Sequence, residues 1–265
     1  MLSPWARKHK GIKKALAWAL YQRRDLKSSA TLHATSQDEA VELQQLNLGP
    51  PVVMLPNGID VSGDQRVSSA PMRSAQDKRT ALFLGRLYPV KGLPNLIEAW
   101  AAVYPKGWRL LIAGPDEAGH KQELEAQIDR LGLRDVIEFL GPVQGKDKAR
   151  LFLSADLFVL PSLSESFGMA LAEAMLANLP VLTTVAVPWP DVEIQRLGWR
   201  VQLDKSSLAE GLRAATSAPV DELRAMGNRA SSYVRSNYGW DKLAQSYVEM
   251  YESAIAGRAR LQILS

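Results

Sequence analysis

From about residue 80 onward, apolar runs of strand length alternate with longer segments whose apolar positions recur at helical spacing. "TALFLGRL" precedes an amphipathic run over 91 to 103, "RLLIAG" one over 117 to 131, "VIEFLG" one over 145 to 153, and "DLFVLPS" one over 168 to 177. "PVLTT" then leads through a broken segment to "GWRVQL", and three helical segments close the chain near 205 to 217, 219 to 236 and 240 to 256. Strands apolar on both faces belong to a sheet covered on both sides, and regular alternation with helices means parallel crossovers. The pattern predicts an α/β fold: a doubly wound, Rossmann-like parallel sheet with helices on both faces.

Upstream the pattern is shorter. "ATLHATS", residues 30 to 36, reads as a strand, and Ser36 with Glu39 three residues on forms a capping box for a helix to about Gln45. Pro50 and Pro51 forbid its continuation. "VVMLPNGID", residues 52 to 60, reads as a strand followed by an Asn-Gly turn, and the small, polar stretch 61 to 79 reads as a linker or surface loop.

Composition narrows the function classes. The 265 residues are 46% hydrophobic and 23% charged, as in ordinary globular proteins. With no cysteine there are no disulfides or thiolate metal sites, and a reducing cytosol is permitted. The three histidines are scattered and imply no metal. No apolar run is long enough to span a bilayer. The net charge of +4 is concentrated at the start, where "MLSPWARKHKGIKKALAWALYQRRDLK" mixes Trp5 and Trp18 with many cations. This opening reads either as a helix lying on an anionic membrane surface or as a solvated helix docked by one face. Nucleic acid is not an expected partner, because no recognised motif accompanies the cations and the remainder is nearly charge balanced.

Ligands of open parallel sheets bind at the carboxyl ends of the strands, where helix N-termini point free N–H groups into a crevice. Two constellations fall there. In "LFLGRLYPVKG", Gly85 and Arg86 end a strand while Lys91 opens the next helix, and the fork of an arginine with the point charge of a lysine suits a polyphosphate. In "LPSLSESFGMALAEAM", Glu165 lies in a loop and Glu173 some 8 to 9 Å up the following helix if that helix starts near Phe167 or Gly168. Carboxylates accept from hydroxyls, and the N–H groups of Phe167, Gly168 and Met169 can hold a phosphate or polar edge. A nucleotide sugar has hydroxyls at both ends and phosphates between. Each residue also has a plain reading: surface ion pairs for Arg86 and Lys91, a helix-dipole contact for Glu165, a surface charge for Glu173.

Together "GRLYPVKG", "ESFGMALAE", "PNGID" and "ADLFVLPS" resemble the donor-binding, C-terminal half of a GT-B glycosyltransferase of the large retaining family 4, over about residues 30 to 255. The resemblance implies transfer of a sugar from a UDP- or GDP-linked donor to a glycan or lipid-linked acceptor, in cell-surface polysaccharide or lipopolysaccharide synthesis. It implies catalytic roles for Arg86, Lys91 and Glu165. Arg86 and Lys91 would bind the diphosphate and stabilise the leaving group, and Glu165 would contact sugar hydroxyls. Gly85, Val143, Phe167, Gly168, Met169 and Glu173 are the implied donor-binding positions, with Glu173 at the ribose and Val143, beside Pro142, at the base. No Asp-x-Asp motif is present, so fixed cations and helix N–H groups would meet the developing charge, with no metal and no cofactor beyond the donor itself.

The sequence departs from the family in two places. "VAVPWPDVEI", residues 185 to 194, replaces the usual Gly-Gly-x-Pro-Glu loop; it reads either as a packing element or as the variant of relatives that assemble surface polysaccharides. Only about 30 residues precede the donor domain. The expected organisation is therefore a basic remnant of the acceptor domain at 1 to 29, a donor domain at 30 to 240, and a helix at 241 to 265 that would cross back to the first domain. The alternative is a noncatalytic nucleotide-sugar binding module completed by a separate acceptor subunit. The expected location is cytoplasmic, free or on the cytoplasmic face of the inner membrane. Exposed apolar surface is expected where the missing domain would meet the last helix, and with it self-association.

Overall fold

The computed structural model describes residues 15–61 and 78–257. Most of the basic opening and most of the predicted linker lie outside them. The chain forms two compact units by packing, residues 61–236 and residues 1–60 with 237–265. This division differs in kind from the functional one at 29/30 and 240/241 expected from the resemblance.

The larger unit carries a six-stranded sheet in the order β5-β4-β3-β6-β7-β8, every pair parallel. The strands are β3 (Arg79–Leu84), β4 (Trp108–Ala113), β5 (Ile137–Gly141), β6 (Leu157–Leu160), β7 (Val181–Thr184) and β8 (Gly198–Val201). From β3 the chain winds outward to β4 and β5, then returns to β6 and winds the other way. The switch point lies between β3 and β6, where ligands of such sheets bind. β6 and β7 are buried at all four positions, as both-face coverage requires, whereas the edge strand β5 alternates, with Ile137 inward and Glu138 and Leu140 outward.

The helices fall where the 3.6-residue pattern places them: α3 (Leu93–Val103), α4 (His120–Arg130), α5 (Gly145–Ser154), α6 (Met169–Leu176), a single turn α7 (Asp191–Ile194), α8 (Lys205–Ser217) and α9 (Val220–Tyr238). α3 buries Leu93, Leu96, Ile97 and Trp100 on one face, each contributing about 1.5–3 kcal/mol on leaving water. The predicted start at 91 shifts to Leu93 because Pro89–Lys91 form a 3-10 turn and Gly92, at φ 70°, caps the helix.

In the smaller unit β1 (Leu32–Ala34) pairs with β2 (Val52–Met54) in parallel, joined through α2 (Gln37–Gln45). Ser36 Oγ accepts from Glu39 N–H, while the Glu39 carboxylate reaches one residue beyond the cap, to Thr35 N–H at 2.8 Å. Leu32, Ala34, Ala40, Leu43 and Leu48 form the core, with Trp18 and Leu26 packed on it. Those two belong to the helical stretch ending in α1 (Arg23–Lys27), so one face of the basic segment docks, while Leu16, Leu20 and Tyr21 are exposed.

The Asn-Gly turn expected after β2 is corrected. Gly58 takes no positive φ; a Cβ there would stand 2.4 Å from the Trp240 ring, so glycine is required by the close approach of α10 (Trp240–Ile255) rather than by a turn. No helix among the described residues is long and apolar enough to cross a membrane.

Candidate functional site

The two sequence-distant constellations meet at the switch point. Lys91 Nζ lies 2.5 Å from Glu165 Oε1, with the two side chains only 16% and 12% exposed. The backbone welds the same place: Leu163 N–H donates to Val90 O at 2.8 Å, and a Cβ on Gly92 would stand 2.0 Å from the Pro161 carbonyl oxygen. The loop after β3 and the loop after β6 thus form one rigid wall. Ser162, fully buried, donates from Oγ to the same Glu165 oxygen at 2.7 Å, and Thr184 Oγ1 on β7 holds the Ser162 carbonyl at 2.5 Å.

Arg86 does not join that pair. Its side chain is 62% exposed and its guanidinium donates to Glu117 Oε2 at 2.7 Å, in the loop after β4. Gly85 beside it is fixed by backbone proximity: Gly114, at φ 141°, would put a Cβ 1.9 Å from the Gly85 carbonyl oxygen. Sequence reading passed over Gly114, because only the three-dimensional crowding of β3 and β4 marks it.

Gly168 is the N-cap of α6, at φ 89°, and not a residue inside the helix. No side chain caps this end. Phe167 and Gly168 are buried while Met169 is exposed. The loop 185 to 194 proves to be a packing support for this turn: Trp189, 1% exposed, donates from Nε1 to Phe167 O at 2.6 Å, and the two rings lie 5.1 Å apart at 59°. The signal for Trp189 was its bulk between two prolines; its partner was not legible.

With α6 beginning at Met169, Glu173 stands about 6 Å up the helix, less than the 8 to 9 Å expected. It is 29% exposed and its Oε2 lies 2.6 Å from Lys148 Nζ on α5, a residue the sequence did not single out. Val143 is half-buried in the loop between β5 and α5. Among the described residues, no group of three or more His, Cys, Asp or Glu side chains could hold a metal ion.

Chemically, this is a largely buried lysine and carboxylate at a sheet switch point, beside a helix N-terminus without a side-chain cap, with a second carboxylate a turn higher. Such an arrangement, at the switch point of a doubly wound α/β sheet, has the chemistry to suit a ligand both anionic and rich in hydroxyls. Comparison with known proteins makes this specific. The family described as "Glycosyl transferases group 1" matches residues 64–232. A phosphatidyl-myo-inositol mannosyltransferase of Mycobacterium leprae is 32% identical over 236 residues, 86% of this chain and 60% of that protein. The fold matches sucrose-phosphate synthase from Thermosynechococcus elongatus with a TM-score of 0.80 at 20% identity, over 97% of this chain and 64% of the other. It also matches Anabaena HepE, solved in complex with UDP and glucose, with a TM-score of 0.75 at 22% identity, over 95% and 69%. The chain belongs to the glycosyl transferases group 1 and has the α/β architecture of GT-B glycosyltransferases. It spans 60% of the length of the mannosyltransferase it matches.

Proposed function

We propose that this chain is the donor-binding half of a retaining, metal-independent family 4 glycosyltransferase. It would transfer a hexose-like sugar from a UDP- or GDP-linked donor to a glycan or lipid-linked acceptor in the synthesis of cell-surface polysaccharide or lipopolysaccharide. The observation that carries the reading is the Lys91–Glu165 pair at the switch point. An ammonium has three N–H donors, and one is engaged by Glu165, which leaves others for a diphosphate. Arg86, exposed and one strand end away, swings from Glu117 to the same anion. Glu165 accepts from sugar hydroxyls, and the N–H groups from Phe167 to Met169 at the start of α6 hold the sugar or phosphate. Glu173 holds the ribose, and Val143 meets the base.

In the transfer step the bond from the anomeric carbon to the phosphate oxygen breaks as the acceptor oxygen bonds to that carbon on the same face. The acceptor proton passes to the departing diphosphate. Lys91 and Arg86 lower the barrier by stabilising the charge that develops there. UDP in the HepE complex and the mannosyltransferase relative support the donor class. The acceptor-binding half, on the same chain or on a partner subunit, brings the acceptor into line. The protein works in the cytoplasm or on the inner membrane's cytoplasmic face, where the basic opening would meet anionic lipid.

Calorimetric titration with UDP, GDP and ADP, with and without Mg²⁺, tests this. Metal-independent binding of one diphosphate, weakened at least tenfold in Arg86→Ala and Lys91→Ala, is expected. Equal binding by parent and variants would overturn the site assignment.

A further inference from the structure

We infer that Lys148 is a positioning residue that makes the site selective for the hydroxyls of a ribonucleoside; this rests on the donor reading above. Lys148 projects from the first turns of α5, the crossover helix that follows β5, and its Nζ lies 2.6 Å from Glu173 Oε2 on α6. The ammonium also stands 6.0 Å from the centroid of the Phe152 ring one turn further along α5, and Phe152 is 3% exposed. Both charged side chains are 29% exposed, so the pair lies at the margin of the core and within reach of a ligand.

A glutamate alone on this helix would have three free torsions and a full negative charge close to where a diphosphate is to bind. Lys148 removes both faults. It ties Oε2, which fixes the carboxylate rotamer, and it offsets the charge that would repel the phosphates. Oε1 has no ion-pair partner among the described residues and is left to accept from a ribose hydroxyl. A hydrogen bond to a fixed charged acceptor discriminates strongly against an analogue without the hydroxyl, whereas a freely rotating carboxylate does so weakly. Lys148 therefore acts through Glu173, and its signature is the affinity ratio between ribose and deoxyribose ligands.

The test is calorimetric affinity for UDP and GDP against their 2′-deoxy and 3′-deoxy counterparts, in the parent, Lys148→Met, Lys148→Arg and Glu173→Ala. The parent is expected to prefer a ribonucleotide over one deoxy form by roughly tenfold or more. Lys148→Met should lower that ratio below about threefold, and Lys148→Arg, which keeps a cationic N–H donor for Glu173, should restore it. A ratio unchanged in Lys148→Met, or a loss of all binding that Lys148→Arg does not rescue, overturns the inference. No binding of either diphosphate to the parent, or an unchanged ratio in Glu173→Ala, overturns instead the donor reading and, with it, this inference.

Discussion

Gly92 is a residue on which the rigidity of the site depends. Two penalties follow from Gly92→Ala. The backbone at φ 70° is left-handed, which costs an alanine about 1–2 kcal/mol. The added Cβ would stand 2.0 Å from the Pro161 carbonyl oxygen, a contact that neither backbone can accept without moving, and overpacking of this kind costs a further 1–3 kcal/mol or so. Gly132 provides the control, since it has φ 66° and nothing within 4 Å of a built Cβ, so Gly132→Ala pays the dihedral cost alone. Urea denaturation of the three proteins at a common m-value should place Gly92→Ala about 1–3 kcal/mol below Gly132→Ala. Because Lys91 is the neighbouring residue, diphosphate affinity should fall in Gly92→Ala and not in Gly132→Ala. Equal stability of the two variants would refute the claim that the loops after β3 and β6 are locked together.

Three further outcomes are expected. Lys91→Ala, which leaves the largely buried Glu165 with Ser162 but without its cation, should cost about 2–4 kcal/mol in denaturant unfolding, and a double-mutant cycle with Glu165→Gln should show strong coupling. Trp189→Phe keeps an aromatic side chain but removes the indole N–H donor to Phe167 O and leaves part of a buried site unfilled, so it should lose about 1–3 kcal/mol in a thermal melt and weaken diphosphate binding, although Trp189 is not placed to touch the ligand. Asp204 caps α8 and accepts from the Ser206 hydroxyl and from the Ser207 N–H and hydroxyl, which hold its pKa far below the ordinary 3.8. A depressed carboxylate stabilises the fold fully above its unfolded pKa and loses that contribution as pH falls below it. Asp204→Asn should therefore flatten the decline in melting temperature below pH 4, and an unchanged decline would contradict the cap's role.

The sheet was legible in the sequence because each of its strands is an apolar run bounded by turn residues and separated from the next by a helix-length segment; "TALFLGRL" and "RLLIAG" lie side by side as β3 and β4. The order of the strands was not legible in any one of them and comes from the packed sheet. Lys91 and Glu165 were visible as strand-end residues, but their contact across 74 residues of sequence was not. Lys148 was invisible, since nothing in "GKDKARLF" says that the helix turns this lysine toward α6. Gly58 misled: Asn-Gly is a strong local turn signal, and here the space it leaves is filled by Trp240, 182 residues later in the chain. Such cases share one cause. Local propensity is written in neighbouring residues, whereas close backbone approach and ion pairing between elements are properties of the packed chain.

The central claim is that the switch point between β3 and β6 receives a nucleoside diphosphate. Amide chemical shifts of the isotopically labelled chain, followed as UDP and GDP are added, test it most directly. The expected result is that the amides of Gly85, Lys91, Gly168 and Met169 shift together and saturate with one ligand, while those of α2 and α10 stay in place. Shifts confined to other residues, or none from either diphosphate, would contradict it.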